Sequence, residues 1–367
     1  MVEKKKNTTL RNGIILILTF LLGMLALYGI FYFFPNIIGE TVTRVERDVT
    51  VTDEGIADAV EKLYDAVVVV NTYTDDSTAS GTGFVYKTEN NTAYLLTNNH
   101  VINNANEVYV TFTDGTVVQA QIVGSDVYSD IAVLSVDEEY VISVAEIGSS
   151  EDARLGDTVF AIGAPIDNAF SWSVTRGIVS GKDRLVQVDL TDENITTPMV
   201  VNTIQTDAAI NNGNSGGPLA NSNGEVIGIT SIKLASETIE GMGFAIPIET
   251  AIEYAEQLIS GETIERPYLG ISMIDVTDAY FSREYYQIIR EANVTSGVIV
   301  ASFTNNSPAE QAGLETGDII IRADGNDISS SAYLRYYLYR HNVGDQMTLT
   351  VIRDGRETEV TIMLTSN

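Results

Sequence analysis

From Val67 onward the chain breaks into short runs of β-branched and aromatic residues, each bounded by Gly, Asn or Asp. Runs of this length and composition read as strands. They fall at Val67–Thr72, Gly83–Lys87, Ala93–Thr97, Glu107–Thr111, Val117–Val123 and Ile131–Ser135. After a loop come Thr158–Gly163, Ser171–Ser180, Met199–Thr203, Val226–Ser231 and Gly243–Ile246. Many short strands at regular spacing build sandwiches or barrels, and two groups of about six predict two packed barrels. A short amphipathic helix over Ile56–Asp65 precedes them. A second helix over Glu249–Leu258, with Ala251, Ile252, Ala255 and Leu258 on one stripe, ends the unit. Gly261-Glu262-Thr263 reads as a junction, and residues 266–367 as a smaller α+β unit. There is no internal repeat and no low-complexity tract.

The N-terminal part obeys a different rule. Ile14 to Phe34 is an apolar run of 21 residues with no polar face. At about 1.5 Å per residue a helix there spans roughly 30 Å, the thickness of a bilayer core. Lys4, Lys5, Lys6 and Arg11 precede it, which keeps the N-terminus in the cytoplasm and puts everything beyond Pro35 outside. A cleavable signal peptide is the competing reading. Its apolar region is shorter, about 7–15 residues, and ends in small residues, whereas this run closes on Phe31-Tyr32-Phe33-Phe34-Pro35. An uncleaved anchor is therefore the expectation.

Composition excludes several function classes. The formal charge is −29 over 367 residues, and residues 1–34 carry four Lys/Arg against one Glu, so the exported part is more acidic still. Phosphate contacts need Lys and Arg, so no nucleic-acid partner is expected. The absence of cysteine rules out disulfides, thiol catalysis and Cys-ligated zinc. Only two histidines occur, His100 and His341, and no metal or cofactor is expected.

The strongest chemical signal is Gly213-Asn214-Ser215-Gly216-Gly217-Pro218-Leu219. Taken alone it could be a plain glycine-rich turn. Glycines also let a backbone bend sharply and let a substrate come close. In such a turn the amides of Gly213 and Ser215, with Asn214 carried between them, can point at one spot and form an oxyanion hole. Two further motifs favour that reading. Leu95-Leu96-Thr97-Asn98-Asn99-His100-Val101-Ile102 ends an apolar strand on a histidine, and Ser129-Asp130-Ile131-Ala132-Val133-Leu134 opens another on an aspartate. Together they give His100, Asp130 and Ser215 in the chain order of chymotrypsin-like enzymes. Asp126 and Asp114 are weaker candidates for the acid.

Taken with Gly81-Thr82-Gly83-Phe84-Val85, Gln205-Thr206-Asp207-Ala208-Ala209-Ile210-Asn211 and Gly243-Phe244-Ala245-Ile246-Pro247, these motifs resemble the HtrA (Deg-type) serine proteases over roughly residues 56–367. The resemblance implies a mostly β chain, with a chymotrypsin-like double β-barrel followed by a PDZ domain. It divides the chain into a cytoplasmic tail (1–11), a transmembrane anchor (12–34), a linker (35–55), a protease domain (56–262) and a PDZ domain (266–367). It implies a serine endopeptidase at the extracytoplasmic membrane face, acting on unfolded or misfolded polypeptides and assembled as a homotrimer. In this reading Ser215 is the nucleophile, His100 the base and Asp130 its partner. Ala209 stands six residues before Ser215, where trypsin-like enzymes hold an Asp, so cleavage after Lys or Arg is not expected and small or medium aliphatic residues are. Ile232 is a further candidate lining residue of that pocket, in a wall formed by Ser231–Gly243.

In the C-terminal unit Tyr268-Leu269-Gly270-Ile271 opens the region, followed by Ser307-Pro308-Ala309-Glu310-Gln311-Ala312-Gly313-Leu314 and Gly317-Asp318-Ile319-Ile320. The loop Tyr268–Ile271 can aim successive amides at a peptide's terminal carboxylate while the peptide adds as a strand. A helix from Ser330 or Ser331 to about Arg340 would wall that groove, and His341 near its end is structural. A non-catalytic chaperone or peptide-sensing scaffold is the alternative from a different class. A peptidase that stays idle until a peptide binds is a third reading.

Overall fold

The computed structural model describes residues 3–33, 53–75, 77–164, 172–192, 195–231, 241–261 and 264–366. Met1–Thr50 and Val51–Asn367 form two separate units. The first holds helix α1 (Glu3–Phe33), in which Asn12–Gly29 is long and apolar enough to cross a membrane. The hydroxyl of Thr19 within that stretch donates to the Ile15 and Leu16 carbonyls at 2.9 Å, so the helix satisfies it internally.

The second unit begins with α2 (Asp53–Tyr64), whose Ile56, Ala59 and Leu63 recur at helical spacing and are buried. Six strands follow: β1 (Val67–Tyr73), β2 (Thr78–Glu89), β3 (Thr92–Asn98), β4 (Glu107–Thr111), β5 (Val117–Asp126) and β6 (Ile131–Asp137), with the one-turn helix α3 (Asn99–Ile102) after β3. They close a barrel in the order β1-β2-β3-β6-β5-β4. A second barrel, β10-β11-β12-β9-β8-β7, is built from β7 (Thr158–Gly163), β8 (Ser173–Asp192), β9 (Ile195–Thr206), β10 (Pro218–Asn221), β11 (Val226–Thr230) and β12 (Gly243–Pro247). Helix α4 (Ile248–Ser260) ends it.

The packing explains why these strands read as unbroken apolar runs. Side chains alternate between two buried faces. In β1, Val68 and Val70 fill the first barrel while Val67 joins the seam between the barrels. In β3 and β6, Leu95, Ala132 and Leu134 point inward while Leu96, Ile131 and Val133 reach the seam. In β7, Val159 and Ala161 fill the second barrel while Phe160 and Ile162 meet the seam, which α2 and α4 also cover. A fully buried Phe, Leu or Ile contributes about 1.5–3 kcal/mol, so the seam is a major tie between the barrels.

Two differences from the sequence reading have physical causes. The β8–β9 hairpin is much longer than Ser171–Ser180 and Met199–Thr203, because its outer half alternates polar and apolar residues and pairs from Arg184↔Thr203 to Asp192↔Ile195. β10 begins at Pro218, directly inside the motif that reads as a glycine-rich turn. Proline fits there as the first residue of a strand.

The C-terminal part contains β13 (Pro267–Tyr268), β14 (Ile271–Asp275), α5 (Val276–Ala279), α6 (Tyr286–Ala292), β15 (Val298–Phe303), α7 (Pro308–Gln311), β16 (Ile319–Ala323), β17 (Asn326–Asp327), α8 (Ser331–Leu338), β18 (Gln346–Arg353), β19 (Arg356–Met363) and β20 (Thr365–Ser366). Its main sheet runs β14-β15-β16-β18-β19, with β17 on β16, so β14 is an edge. β13 pairs with β20 and ties the two ends of the unit together. Arg353 is held by Asp318 at 2.6 and 2.8 Å, and this pairing raises its already high pKa. His341 faces Asp324 through Nε2 at 2.8 Å, in keeping with a structural role.

Arg266 joins this part to the barrels. Its guanidinium pairs with Asp126 at 2.6 Å and lies 4.5 Å over the Tyr128 ring and 5.5 Å from Tyr339. Burial raises the phenol pKa of both Tyr339 and Tyr254, so the rings around the cation stay neutral. From α8, Arg335 donates to the Pro198 carbonyl of β9 at 3.0 Å.

Candidate active site

His100 stands on α3, immediately after β3, and Asp130 immediately before β6, which pairs with β3 down to Asn98↔Ile131. The register therefore brings the two residues together across neighbouring strand ends. Asp130 adopts φ 56°, a left-handed conformation that Asp tolerates better than most residues. Its backbone carbonyl accepts from Asn99 N–H at 3.1 Å and from Asn98 Nδ2 at 2.9 Å. Its carboxylate accepts from the His100 N–H at 3.0 Å and faces His100 Nδ1 at 2.8 and 3.0 Å. A carboxylate can only accept, so Nδ1 carries the hydrogen, and in the neutral ring the lone pair is on Nε2.

A further donor to this carboxylate is invisible to motif reading. Ser231, fully buried just after β11, donates its Oγ–H to Asp130 Oδ2 at 3.0 Å. Nothing in its immediate sequence distinguishes it from the end of an apolar strand. Asp126 does not approach His100: it accepts from Arg266 and from the Ser129 N–H at 2.7 Å. Asp114 accepts from the Thr116 N–H in an exposed turn.

The Ser215 turn comes from the second barrel and is pressed against this strand end. Gly216 has φ +83°, and a Cβ on it would collide with the Thr82 carbonyl and with Thr97 Oγ1, and would lie 3.0 Å from the Asn98 amide. Only glycine lets the turn approach β2 and β3 this closely. Gly213 has φ +99°, again a conformation for glycine. Thr82 N–H donates to the Ser215 carbonyl at 2.9 Å, and Thr82 Oγ1 to the Gly213 carbonyl at 2.6 Å. The Asn214 carbonyl accepts from Thr230 Oγ1 at 2.6 Å and from the Gly217 N–H at 2.9 Å. In a trans peptide the N–H points opposite to the C=O, so the Ser215 N–H is aimed away from Thr230.

Ala209 is exposed, and its carbonyl accepts from Asn214 Nδ2 at 3.2 Å and Thr175 Oγ1 at 2.9 Å. Ile232 and most of the expected pocket wall lie outside the described residues. Among the described residues no cluster of His, Asp and Glu is arranged to hold a metal.

At the start of the C-terminal unit the Leu269 side chain belongs to the core, so only its backbone is open to a ligand. The Leu269 carbonyl accepts from the Ala309 N–H at 3.1 Å and from Ser307 Oγ at 3.0 Å, and the Gly270 carbonyl from the Thr304 N–H at 2.9 Å. The amides of Gly270 and Ile271 consequently face the other way. Tyr268 donates its hydroxyl to Thr304 Oγ1 at 2.9 Å.

A trypsin-like peptidase domain model matches residues 81–229, and a PDZ domain model matches residues 267–364. The serine protease Do-like HtrB of Bacillus subtilis (strain 168) is 39% identical over 330 residues, covering 84% of this chain and 70% of that protein. The chain belongs to the HtrA family of serine proteases.

The serine protease Do-like HtrA of the same strain is 43% identical over 285 residues; the match covers 77% of this chain and 63% of that HtrA, somewhat less than two thirds of its length. A solved structure of the HtrA-type protease AlgW with a decapeptide is similar, with a TM-score of 0.65 and 29% identity over 85% of this chain and 98% of that one. Membership of the HtrA family accounts for the mostly β architecture, the trypsin-like barrels and the PDZ domain; the N-terminal apolar helix precedes both matched domains.

Proposed function

We propose that this chain is a serine endopeptidase, anchored by α1 at the extracytoplasmic face of a membrane, that degrades unfolded or misfolded polypeptides. The observation that carries the reading is the His100–Asp130 pair, with Nδ1 turned to the carboxylate and the Ser215 turn packed on the adjoining strand end. Ser215 Oγ attacks the scissile carbonyl carbon while its proton passes to His100 Nε2. The carbonyl oxygen becomes an oxyanion, which accepts hydrogen bonds from the Gly213 and Ser215 amides. As the C–N bond breaks, His100 returns the proton to the leaving amine. Water then attacks the acyl ester by the same route, giving a carboxylic acid and free Ser215. Asp130 holds the tautomer and stabilises the imidazolium.

Ala209, with Ile232 as the further expected lining residue, would favour small or medium aliphatic side chains before the cleaved bond. A peptide C-terminus would place its carboxylate at the Gly270 and Ile271 amides and pair with the open edge of β14. The AlgW structure with a decapeptide is in keeping with peptide capture in this family. The homotrimer expected from the family resemblance belongs to the same reading and is tested by light scattering of the purified chain.

The direct test is casein degradation by the full chain in detergent, wild type beside Ser215→Ala. Cleavage by the wild type alone supports the reading. Silence of both, with and without hydrophobic C-terminal peptides, would remove it.

A further inference from the structure

The Ser215 turn is held by hydrogen bonds drawn from both barrels. Two consecutive carbonyls, of Gly213 and Asn214, are each taken by a threonine hydroxyl: Thr82 from β2 of the first barrel and Thr230 from β11 of the second. Both threonines are buried, at 1% and 0% exposure, so neither hydroxyl has water as an alternative partner.

The direction of these bonds is determined by chemistry. The Ala164 N–H, at the end of β7, donates to Thr82 Oγ1 at 3.0 Å. An amide N–H can only donate, so the hydroxyl accepts there and spends its single proton on the Gly213 carbonyl. Thr82 is itself immobilised, because its own carbonyl accepts from Thr97 Oγ1 at 2.7 Å and its N–H donates to the Ser215 carbonyl. Thr230 is tied on both sides as well: its N–H donates to the Gly217 carbonyl at 2.9 Å, its carbonyl accepts from the Gly216 N–H at 2.9 Å, and its hydroxyl, donating to the Asn214 carbonyl at 2.6 Å, has the Gly217 carbonyl as a longer second acceptor at 3.1 Å.

With both carbonyls held, the peptide planes on either side of Asn214 cannot rotate. The Ser215 N–H must then point opposite to the Asn214 carbonyl. We propose that Thr82 and Thr230 are positioning residues for the oxyanion site, a clamp from two barrels that keeps the Ser215 amide aimed at the reacting carbonyl. This rests on the reading of Ser215 as nucleophile and of the Gly213 and Ser215 amides as oxyanion donors. It adds two residues that touch neither substrate nor His100 and act only through the turn.

The experiment compares Thr82→Val and Thr230→Val, which keep shape and lose the hydroxyl, with Thr82→Ser and Thr230→Ser, which keep it. The full chain in detergent is assayed on a fluorogenic peptide drawn from a casein cleavage site. It is also titrated with a peptide boronic acid, whose tetrahedral adduct places an oxygen at the oxyanion position. The valine variants should lose about ten- to a hundredfold in kcat with KM within about threefold, and should bind the boronate more weakly by a similar factor. The serine variants should stay within about threefold of wild type. The pH profile should keep its shape, since His100 is untouched.

Folded valine variants with wild-type kcat would sink the clamp. So would a loss that appears in KM alone, or a serine variant that loses tenfold. If a valine variant does not fold, the serine comparison still decides. The two readings separate cleanly: a wild type that cleaves, a dead Ser215→Ala and unaffected valine variants remove the clamp and leave the protease. A wild type that neither cleaves nor binds the boronate removes both.

Discussion

The Ser215 turn and the Tyr268–Ile271 loop solve one problem with unequal stiffness. Each turns backbone carbonyls onto neighbouring donors, so that the following amides face the opposite way, toward the oxyanion and peptide positions proposed above. In the Ser215 turn the holding hydroxyls belong to Thr82 and Thr230, both essentially inaccessible and supplied one by each barrel. In the PDZ loop they belong to buried Ser307 and exposed Thr304, within one sheet and its neighbouring turn. The difference matches the demand. Stabilising a developing oxyanion needs donors held to a fraction of an ångström, because the gain vanishes if they must reorganise. Holding a peptide terminus tolerates adjustment, because the peptide's strand pairing contributes most of the binding.

The largest expected effects lie on the stiff side. Ser215→Ala should lower turnover by about four to six orders of magnitude, measured on casein-derived peptide, because the three residues act as a unit. Asp130→Asn should cost about 10³–10⁴ in kcat, because an amide facing Nδ1 favours the wrong tautomer. It also disturbs the acceptor shared by His100 N–H and Ser231 Oγ. A variant with wild-type kcat would mean that the carboxylate holds strands and not the imidazole.

Between the two regions stands Arg266. Removing it with Arg266→Ala leaves Asp126, whose side chain is 8% exposed, without its guanidinium, a change that costs about 3 kcal/mol in comparable buried pairs. Urea denaturation should show that loss. Because the stack on Tyr128 and Tyr339 disappears too, the PDZ part should be released, and the radius of gyration should increase. An unchanged radius would show that Arg335 and the α8 contact with β9 suffice to hold it.

On the adaptable side the sharpest probe is Gly270→Ala. Gly270 has φ +73°, and an added Cβ would come within 2.9 Å of Ser307 Cα, Ser307 Oγ and Thr304 Oγ1. The loop must shift, and both amides move with it. We expect affinity for a hydrophobic C-terminal peptide to fall about tenfold, which is about 1.4 kcal/mol. Turnover of a short peptide lacking a PDZ contact should not change. Equal losses in both would show that the loop and the Ser215 turn are one mechanical unit.

The sequence exposes these regions unevenly for a physical reason. The barrels are legible because strands buried on both faces must be apolar throughout, as in Val67–Val70 and Ile131–Leu134. His100 and Asp130 are legible because each sits at the end of such a run, and Ser215 because it stands in a glycine-rich turn just before β10. Ser231, Thr82 and Thr230 stay hidden because their partners lie in turns elsewhere in the chain. The separations are 101 residues from Ser231 to Asp130 and 131 from Thr82 to Gly213, and a lone Ser or Thr at a strand end or interior has a dozen duller explanations. The outer β8–β9 hairpin is missed because its polar face imitates a loop.

A third turn completes the comparison, because it is held by a carboxylate. Glu249, in the first turn of α4, accepts from the Ser150 N–H at 2.7 Å and from Ser150 Oγ. Burial by itself would raise the Glu249 pKa, but the Ser150 hydroxyl and the amides of Glu249 and Ser150 outweigh it, and the pKa lies below the usual glutamate value. A folded-state pKa below the unfolded one means the unfolded chain takes up the proton first. The stabilisation is therefore complete above the ordinary carboxylate range and is lost as pH falls through the folded-state value. Threonine and serine hydroxyls do not titrate there, so the Ser215 turn and the PDZ loop have no such acid sensitivity of their own. The melting temperature of Glu249→Gln should lie below wild type at neutral pH, and the gap should shrink as the pH is lowered through the carboxylate range. A gap that stayed constant with pH would mean the Glu249 contact works through shape and not through charge.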